Sequence, residues 1–276
     1  MNRKKFFSRR GVGHSVNQDA GLILDKGVVS LYAVCDGHGD LGHRVAHGAA
    51  CRIAKPSVAY IMEAGGFGNV QASKSALKDF IYDLDVKVGR EVKESAHSGC
   101  TLAAAVIDTD SRKGYLYGAG DSLAIAYYNN TPLHLPLQNM SMAPRALLER
   151  FESIERSTGK QYMGENPGGT LYVVNPDGED ALQLYSCLGD FDMKKQNPLV
   201  FVRPSVEYIP PSQSPTVVLL ASDGYAEGLA ATPCTQKWFA EIKKEIEECR
   251  GSPEELVKMA QDRGSGDDIS AIVFTV

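Results

Sequence analysis

Residues 28–40 of the 276-residue chain read VVSLYAVC followed by DGHGD, an apolar run that ends in an acidic, glycine-rich turn. The run is continuously apolar apart from one serine and is rich in Val, Leu and Tyr, which predicts a β-strand covered on both faces. Such a strand delivers Asp36 at its end, where the rigid sheet fixes the backbone and the next glycine permits a sharp turn. This stretch therefore predicts a carboxylate held at one edge of a sheet.

The same arrangement recurs further along the chain. Asp121 and Asp223 each follow an apolar run, and Asp267 stands just ahead of the last one. An Asp at a turn is weak evidence by itself, because Asp-Gly is a very common turn dipeptide. Four carboxylates at strand ends within one chain indicate a shared site.

Short apolar runs and amphipathic segments together predict the fold class. We predict strands over residues 28–35, 101–108, 114–118, 124–128, 171–174, 216–221 and 269–276. We predict helices over residues 42–54, 77–88, 144–157, 236–249 and 252–264. Hairpin connections such as residues 109–113 imply antiparallel pairing rather than a βαβ series. The prediction is an α+β protein with antiparallel sheet covered by helices, in a single domain over residues 11–276.

Composition bounds the functional class. With 34 acidic and 29 basic residues the net charge is −5, so we expect no nucleic-acid partner and no membrane partner. Residues 1–10 are basic but lack the apolar core of a signal peptide, and we interpret them as a solvated basic N-terminal arm. Six cysteines without a C-x-x-C pair indicate reduced thiols in an intracellular compartment, cytoplasmic or nuclear.

Carboxylates gathered at one edge of a sheet repel each other unless a cation neutralises them. Sites made only of oxygen ligands suit hard divalent ions such as Mg2+ or Mn2+. Two such ions about 3.5–4 Å apart can activate a water and clamp a transferring phosphoryl group. His38 stands between two glycines, two residues after Asp36, where it can protonate a leaving alkoxide. The pattern indicates metal-assisted hydrolysis.

Seven short motifs, in order from about residue 11 to the end, resemble those of the metal-dependent PP2C-type (PPM family) serine/threonine protein phosphatases. They are SVNQD (15–19), DGHG (36–39), SGCT (98–101), GDS (120–122), LGDFD (188–192), ASDG (221–224) and GDDIS (266–270). The resemblance implies an αββα sandwich, with two packed antiparallel sheets flanked by helix pairs, and two Mn2+ or Mg2+ ions. It also implies hydrolysis of phosphoserine and phosphothreonine by direct attack of a hydroxide that bridges the metals, with a His general acid.

The resemblance also implies roles for individual residues. His38 corresponds to the family's proposed general acid, Asp36 to the carboxylate that bridges both metals, and Gly37 to a ligand through its backbone carbonyl. By the same correspondence, Asp223 and Asp267 are metal ligands, Asp19 and Gln18 hold metal-bound water, Asp121 and Glu227 are candidates for a weaker third ion, and His14 is a candidate phosphate contact.

The chain departs from the family pattern at positions that handle the phosphate and the ions. His14 stands where many members carry an Arg that grips the substrate phosphate. A neutral His offers one donor where Arg offers a bidentate fork, so we expect weaker, pH-dependent anchoring. Gln18 brings no charge where some members have Glu, and Glu227 is one methylene longer than the usual Asp. Asp268 replaces the usual Asn, and residues 137–140 replace an Asp-His pair.

Alternatives to an active phosphatase stay open at this stage. The departures are compatible with a catalytically weak or inactive PP2C-like sensor or scaffold module, although the retained Asp residues and His38 favour activity. His43 and His47 have a zinc-binding spacing, but Arg44 stands where the zinc-protease pattern needs Glu. Residues 141–175 resemble the family's variable flap beside the site. We expect a phosphoprotein substrate and a monomer.

Overall fold

The protein is described by a computed structural model that covers residues 5–176 and 181–276, and its centre is a pair of five-stranded sheets. The described strands are β1 (Phe6–Arg9), β2 (Ala20–Lys26), β3 (Val29–Cys35), β4 (Gly37–His38), β5 (Gly99–Cys100), β6 (Leu102–Asp108), β7 (Lys113–Ala119), β8 (Leu123–Tyr128), β9 (Thr131–His134), β10 (Met163–Glu165), β11 (Leu171–Val174), β12 (Ala181–Leu182), β13 (Leu188–Gly189), β14 (Ser205–Ile209), β15 (Val217–Ala221) and β16 (Ile269–Thr275). The described helices are α1 (Gly42–Glu63), α2 (Val70–Glu91), α3 (Arg145–Thr158), α4 (Phe191–Gln196), α5 (Gln236–Glu248) and α6 (Pro253–Asp262).

The two large sheets pack face to face. One has the strand order β14-β7-β6-β3-β2 and the other β1-β16-β15-β8-β9, with antiparallel pairing throughout. Their facing side chains form one buried cluster, in which the rings of Tyr32 and Phe274 stack 3.8 Å apart between centroids. Alternate residues of the same strands point to the opposite face of each sheet, where the helices lie.

Helices cover both outer faces. Helices α1 and α2 pack on the β3 side through residues such as Val45 and Leu84, and α5 and α6 pack on the β16 side through residues such as Trp238 and Leu256. This is the αββα sandwich that the sequence predicted, and that prediction is confirmed. Among the described helices, none combines the length and apolarity needed to cross a bilayer.

The predicted strands agree with the structure to within one or two residues at each end. Among the described strands of the two large sheets, β1, β2, β9 and β14 were not predicted, and neither were the short strands β4, β5, β10, β12 and β13. The interpretation of residues 1–10 as a solvated arm is wrong for Phe6–Arg9, because these residues pair with β16 and the rings of Phe6 and Phe7 pack against two of the buried clusters. Residues 1–4 of the predicted arm lie outside the described residues.

Helix α1 continues well beyond residue 54, where the prediction ended it. Pro56 lies inside the helix, which removes one backbone hydrogen bond. Ile53, Ser57 and Ile61 are spaced four residues apart on one face and are fully buried. The burial of that face outweighs the local cost of the proline.

Helix α3 and strands β10 to β12 form a small unit of their own beside the sandwich. Its buried cluster includes Phe151, Tyr162 and Val173, none of which belongs to the cluster between the large sheets. Leu184 and Met193 belong to the same cluster and reach the edge of the sandwich where the predicted carboxylates lie. This unit therefore forms part of the wall beside the candidate site.

A buried ion pair fixes the segment that follows β13. Asp85 on α2 accepts hydrogen bonds from the backbone N–H of Gly189 at 2.9 Å and from Lys194 Nζ at 2.8 Å. Lys194 Nζ also donates to the carbonyl of Cys187 at 2.9 Å. The side chains of Asp85 and Lys194 are 10% and 11% exposed, so the pair is largely screened from water. It ties β13 and the residues that flank it to the helix layer.

Lys194→Met is expected to lower the free energy of unfolding by about 3 kcal/mol, because it leaves the Asp85 carboxylate buried without its counter-charge. Lys195→Met, at an adjacent exposed lysine, is the matched control and should cost at most about 0.5 kcal/mol. Urea denaturation of both variants measures the difference. Equal losses in the two variants would show that the ion pair does not anchor this segment.

Candidate active site

One edge of the sandwich collects the strand ends that carry the predicted carboxylates. Ala20 pairs with Cys35, which brings Asp19 beside Asp36, and Ala221 pairs with both Ala271 and Leu123. The second register brings together the segments that carry Asp223, Asp267 and Asp121. They open onto a cleft of about 720 Å³, lined also by Gly37, His38, His14, Gln18 and Glu227.

Four carboxylates at this edge are close enough to oppose one another's ionisation. Burial, followed by the charges of Asp223, Asp19 and Asp121, raises the pKa of Asp36 well above its usual value. The pKa of Asp223 is raised well above its usual value by burial and by the charges of Asp121, Asp267 and Asp19. Burial raises the pKa of Asp19 to about 7. Ionising all four carboxylates together is therefore unfavourable unless positive charge is supplied from outside the protein.

Two oxygens of this group have no hydrogen-bond partner among the described residues. Oδ1 of Asp19 and Oδ1 of Asp223 are buried and accept no hydrogen bond from the described residues. Buried carboxylate oxygens without donors are rare, because the loss of hydration is not compensated. An all-oxygen donor set with unused lone pairs fits a hard divalent cation. The residues present therefore fit the metals that the sequence predicted.

Backbone packing fixes the two residues on either side of the turn after β3. The N–H of Thr101 donates to the carbonyl of Asp36 at 2.8 Å. A Cβ at Gly37 would lie 2.5 Å from the carbonyl oxygen of Gln18 and from backbone atoms of Gly42. Only glycine fits at this close approach, so the position of the Gly37 backbone is set by its neighbours.

His38 is held by a partner from a distant part of the chain. Its Nε2 lies 2.6 Å from Oδ2 of Asp190, and the side chains are 21% and 6% exposed. Burial lowers the pKa of His38, but the charge and hydrogen bond of Asp190 more than offset it, so the pKa is raised overall. A Cβ at Gly99 would lie 2.6 Å from the same Nε2, so glycine is required beneath the pair.

His14 is held by the chain's own carboxylates. Its Nδ1 lies 3.1 Å from Oδ2 of Asp268 and 3.9 Å from Oδ1 of Asp267. The hydrogen bond to Asp268 is the main cause of the raised pKa of His14. Asp268 also accepts hydrogen bonds from the backbone N–H groups of Gly11 and Gln18, each at 2.7 Å. Asp268, which replaces the usual Asn, thus stabilises the loop that carries His14.

Three further predicted site residues each make a hydrogen bond to a residue near them in the fold. Gln18 Nε2 donates to the carbonyl of Gly39 at 2.8 Å. Asp19 Oδ2 accepts a hydrogen bond from the hydroxyl of Ser222 at 2.9 Å. Asp121 accepts from Asn139 Nδ2 at 3.2 Å. These contacts leave Asp19 Oδ1 without a hydrogen-bond partner among the described residues.

Glu227 is bound to the loop before β16. Its Oε2 accepts from the hydroxyl of Ser265 at 2.8 Å and from the N–H of Gly266 at 3.1 Å. Glu227 thereby positions the loop that carries Asp267, and its charge contributes to raising the pKa of Asp267, after burial.

No Lys or Arg from the described parts of the chain lines the cleft. Its basic side chains are His14, His38 and His97, and His97 pairs with Asp192 at 3.3 Å. Arg10 instead donates to the carbonyl of Ser15. Among the described residues, none thus supplies the cleft with the guanidinium that the family pattern would place at the phosphate.

The helical pair His43 and His47 forms no metal cluster with other described residues. His47 Nε2 lies 3.5 Å from Cys51 Sγ on the exposed face of α1, and His43 is not part of that contact. The structure offers no support for a zinc site at this pair.

Sequence reasoning missed three residues that shape the site. Asp190 lies within the motif LGDFD, but nothing local identified it as the partner of His38. Asp268 was noted only as a departure from the family pattern. Asp85 belongs to none of the motifs. The one sequence feature that could have identified it is its position, as an acidic residue on the apolar face of a predicted helix.

Known proteins were compared with the chain at the level of sequence and of fold. The family model described as "Protein phosphatase 2C" matches residues 9–260. No curated protein sequence matches the chain.

Solved structures with the same fold come from diverse organisms. A C. elegans sex determining protein is 22% identical with a TM-score of 0.71, over 98% of this chain and 64% of that one. A serine-threonine phosphatase 2C from Toxoplasma gondii is 18% identical with a TM-score of 0.73, over 98% and 93%. PppA, a key regulatory component of the T6SS in Pseudomonas aeruginosa, is 17% identical with a TM-score of 0.60, over 98% and 96%.

The family match spans most of the chain, and the fold agrees with that of the solved structures. The chain therefore belongs to the protein phosphatase 2C family of serine/threonine phosphatases.

Proposed function

We propose that this protein is a metal-dependent phosphatase that removes phosphate from phosphoserine and phosphothreonine in protein substrates. The observation that carries the proposal is the meeting of Asp19, Asp36, Asp121 and Asp223 at one edge of the sandwich, beside the cleft that also holds His38. Two of their oxygens are buried and accept no hydrogen bond from the described residues. Carboxylates in this arrangement are costly for folding, and a catalytic cation site is the function that accounts for them.

The proposed ligands of two Mn2+ or Mg2+ ions are Asp36, the carbonyl of Gly37, Asp223 and Asp267. When bound, the ions supply an activated water and neutralise the phosphate charge. Asp19 and Gln18 lie beside these ligands, where their oxygens can accept hydrogen bonds from water. A weaker third ion would need Asp121 and Glu227, and Glu227 Oε2 already accepts two hydrogen bonds from its own loop.

His38 is the proposed general acid. Asp190 favours the protonated imidazole and fixes the ring through one short hydrogen bond. The proton on His38 passes to the leaving serine or threonine oxygen as the phosphorus–oxygen bond breaks. Because Gly189, the residue before Asp190, is hydrogen-bonded to Asp85, the acid is held by the helix layer as well as by the sheet edge.

Substrate contacts are proposed from the walls of the cleft. His14 would touch the phosphate with a single ring nitrogen, which it already shares with Asp268. Leu182 and Leu184 line the cleft and pack into the small unit that contains residues 141–175, which supports the proposal that this unit acts as the variable flap. We further propose that the predicted domain of residues 11–276, extended by β1, acts as one catalytic domain on a phosphoprotein, as a monomer.

A sensor or scaffold module is the second candidate. The observation that favours it is the absence of Lys and Arg among the described residues that line the cleft, since phosphate binding usually relies on such charges. A measurement of metal-dependent phosphate hydrolysis decides between an active phosphatase and a sensor or scaffold module.

Asp223→Asn is expected to lower kcat by roughly 100-fold or more, because it removes a cation ligand whose effect is worth several kcal/mol. The assay uses a small aryl phosphate and a phosphothreonine peptide with Mn2+, and EDTA should abolish turnover of both. Asp110→Asn, at an exposed Asp in the β6–β7 turn, is the matched control. If wild-type protein gives no metal-dependent turnover on either substrate, the scaffold candidate is the correct one.

His38→Ala is expected to slow the phosphothreonine peptide by about 100-fold or more and the aryl phosphate by less than about 10-fold, because an aryl oxide leaves without full protonation. His97→Ala, at another histidine of the same cleft, should affect both substrates similarly and weakly. Steady-state kcat values for each substrate provide the comparison. Equal losses on the two substrates after His38→Ala would contradict the acid role.

In EDTA, the free energy of unfolding is expected to fall as the pH rises from about 5 to 7.5. The pKa of Asp19 is raised to about 7 by burial, so the folded protein holds a proton that the unfolded chain releases near pH 4. Stability is therefore greater below this range and decreases as the carboxylates ionise. Urea denaturation at both pH values measures the slope, and excess Mn2+ should reduce it. A slope of opposite sign would mean that the carboxylates are not forced together.

A further inference from the structure

A second cluster of potential ligands lies beside the carboxylate group. Nε2 of His38, Sγ of Cys187 and a carboxylate oxygen of Asp190 all lie within 4.8 Å of one another. Oδ2 of Asp190 is 2.6 Å from the His38 nitrogen and 3.1 Å from the Cys187 sulfur. Cys187 is fully buried and Asp190 is 4% exposed. Three different donor types therefore converge at one point.

The donor set differs in chemistry from the carboxylate group. One nitrogen, one sulfur and one oxygen make a mixed set that suits a borderline-soft ion such as Zn2+, whereas Mg2+ and Mn2+ favour oxygen ligands. A thiolate in particular selects against the hard ions. The two neighbouring clusters would thus take different classes of cation.

The cluster also has an open side. His38 and Asp190 line the cleft, while Cys187 lies behind them. Three protein ligands and one position facing water give the coordination that catalytic and exchangeable zinc sites commonly have. Tetrahedral ligands at about 2.0–2.3 Å from the ion stand roughly 3.5 Å apart, so Asp190 Oδ2 needs to move by about 1 Å or less from His38.

The segment that carries two of the ligands is already fixed. Lys194 Nζ holds the carbonyl of Cys187, and Asp85 holds the N–H of Gly189. Ligands on a segment held in this way lose little freedom when an ion binds.

We propose that His38, Cys187 and Asp190 form a separate Zn2+ site, and that a bound ion blocks phosphatase activity because a His38 ring that ligates Zn2+ through Nε2 can no longer become the imidazolium that serves as general acid. On binding, the thiol proton of Cys187 and any proton on Nε2 pass to water, and the three donors form bonds to the ion. The inhibitory effect rests on the proposed function, but the binding of the ion does not. Zn2+ would act here without displacing the ions of the carboxylate group.

Cobalt spectroscopy tests the site without reference to turnover. Co2+ is added to the full chain in excess Mg2+, and thiolate ligation gives a sulfur-to-cobalt charge-transfer band in the near ultraviolet. We expect this band in the wild type and its loss in Cys187→Ser, which keeps the side-chain size and a donor to Asp190. Cys51→Ser is the matched control, because Cys51 is exposed and lies 3.5 Å from His47. No band in the wild type, or a band that persists in Cys187→Ser, would overturn the site.

Inhibition by Zn2+ tests whether an ion at this site blocks phosphatase activity. Zn2+ is titrated against hydrolysis of the phosphothreonine peptide in excess Mn2+, with each variant normalised to its own rate without Zn2+. Cys187→Ser and Cys187→Ala are expected to raise the half-inhibitory Zn2+ concentration about 10-fold or more, while Cys51→Ser leaves it unchanged. Equal inhibition of all variants would place the effect of Zn2+ at the carboxylate group and overturn the inhibitory role.

The two tests distinguish a failure of the proposed phosphatase function from a failure of the proposed cation site. Absence of turnover in the uninhibited protein would overturn the proposed phosphatase function, and the cobalt spectrum would still decide whether the cation site exists. Circular dichroism confirms that each variant is folded, and Cys187→Ala provides a second variant if Cys187→Ser is not.

Discussion

The mutual repulsion of carboxylates at one edge of the sandwich is the constraint around which the protein is organised. Antiparallel pairing within each sheet brings strand ends of both directions to the same edge, and the face-to-face packing of the sheets brings the two edges together. Asp36 and Asp223 lie where these edges meet. A rigid, well-packed core between the sheets is what holds them there against their charges.

The sequence was sufficient to predict the fold and the central carboxylates. Continuous apolar runs that end in Asp are short-range signals, and the positions of Asp36, Asp121 and Asp223 follow directly from them. The partners that orient the site depend on contacts between distant residues. His38 and Asp190 are 152 residues apart, and Asp85 and Lys194 are 109 apart, so no local pattern could connect them. Strand β1 escaped prediction because its basic flanks resemble a solvated tail.

Two departures from the family pattern become one feature in the structure. His14 replaces an arginine and Asp268 replaces an asparagine, and the two side chains contact each other. Asp268 also holds the backbone at Gly11 and Gln18. An arginine that must reach a phosphate needs a free guanidinium, whereas a histidine bound to Asp268 serves first to keep its own loop in place. Replacing arginine by histidine at position 14 therefore changes the main role of this residue from binding the substrate phosphate to stabilising its own loop.

The small unit of α3 and β10 to β12 has a consequence for how such a protein can diversify. Side chains of its own helix and strands, such as Phe151 and Val173, belong to a cluster that shares no residue with the cluster between the sheets, so they can be replaced without disturbing the packing between the sheets. Selection for substrate recognition could then act on mutations in this unit separately from selection for the phosphatase reaction. A lineage could therefore acquire new targets while the reaction centre stayed the same.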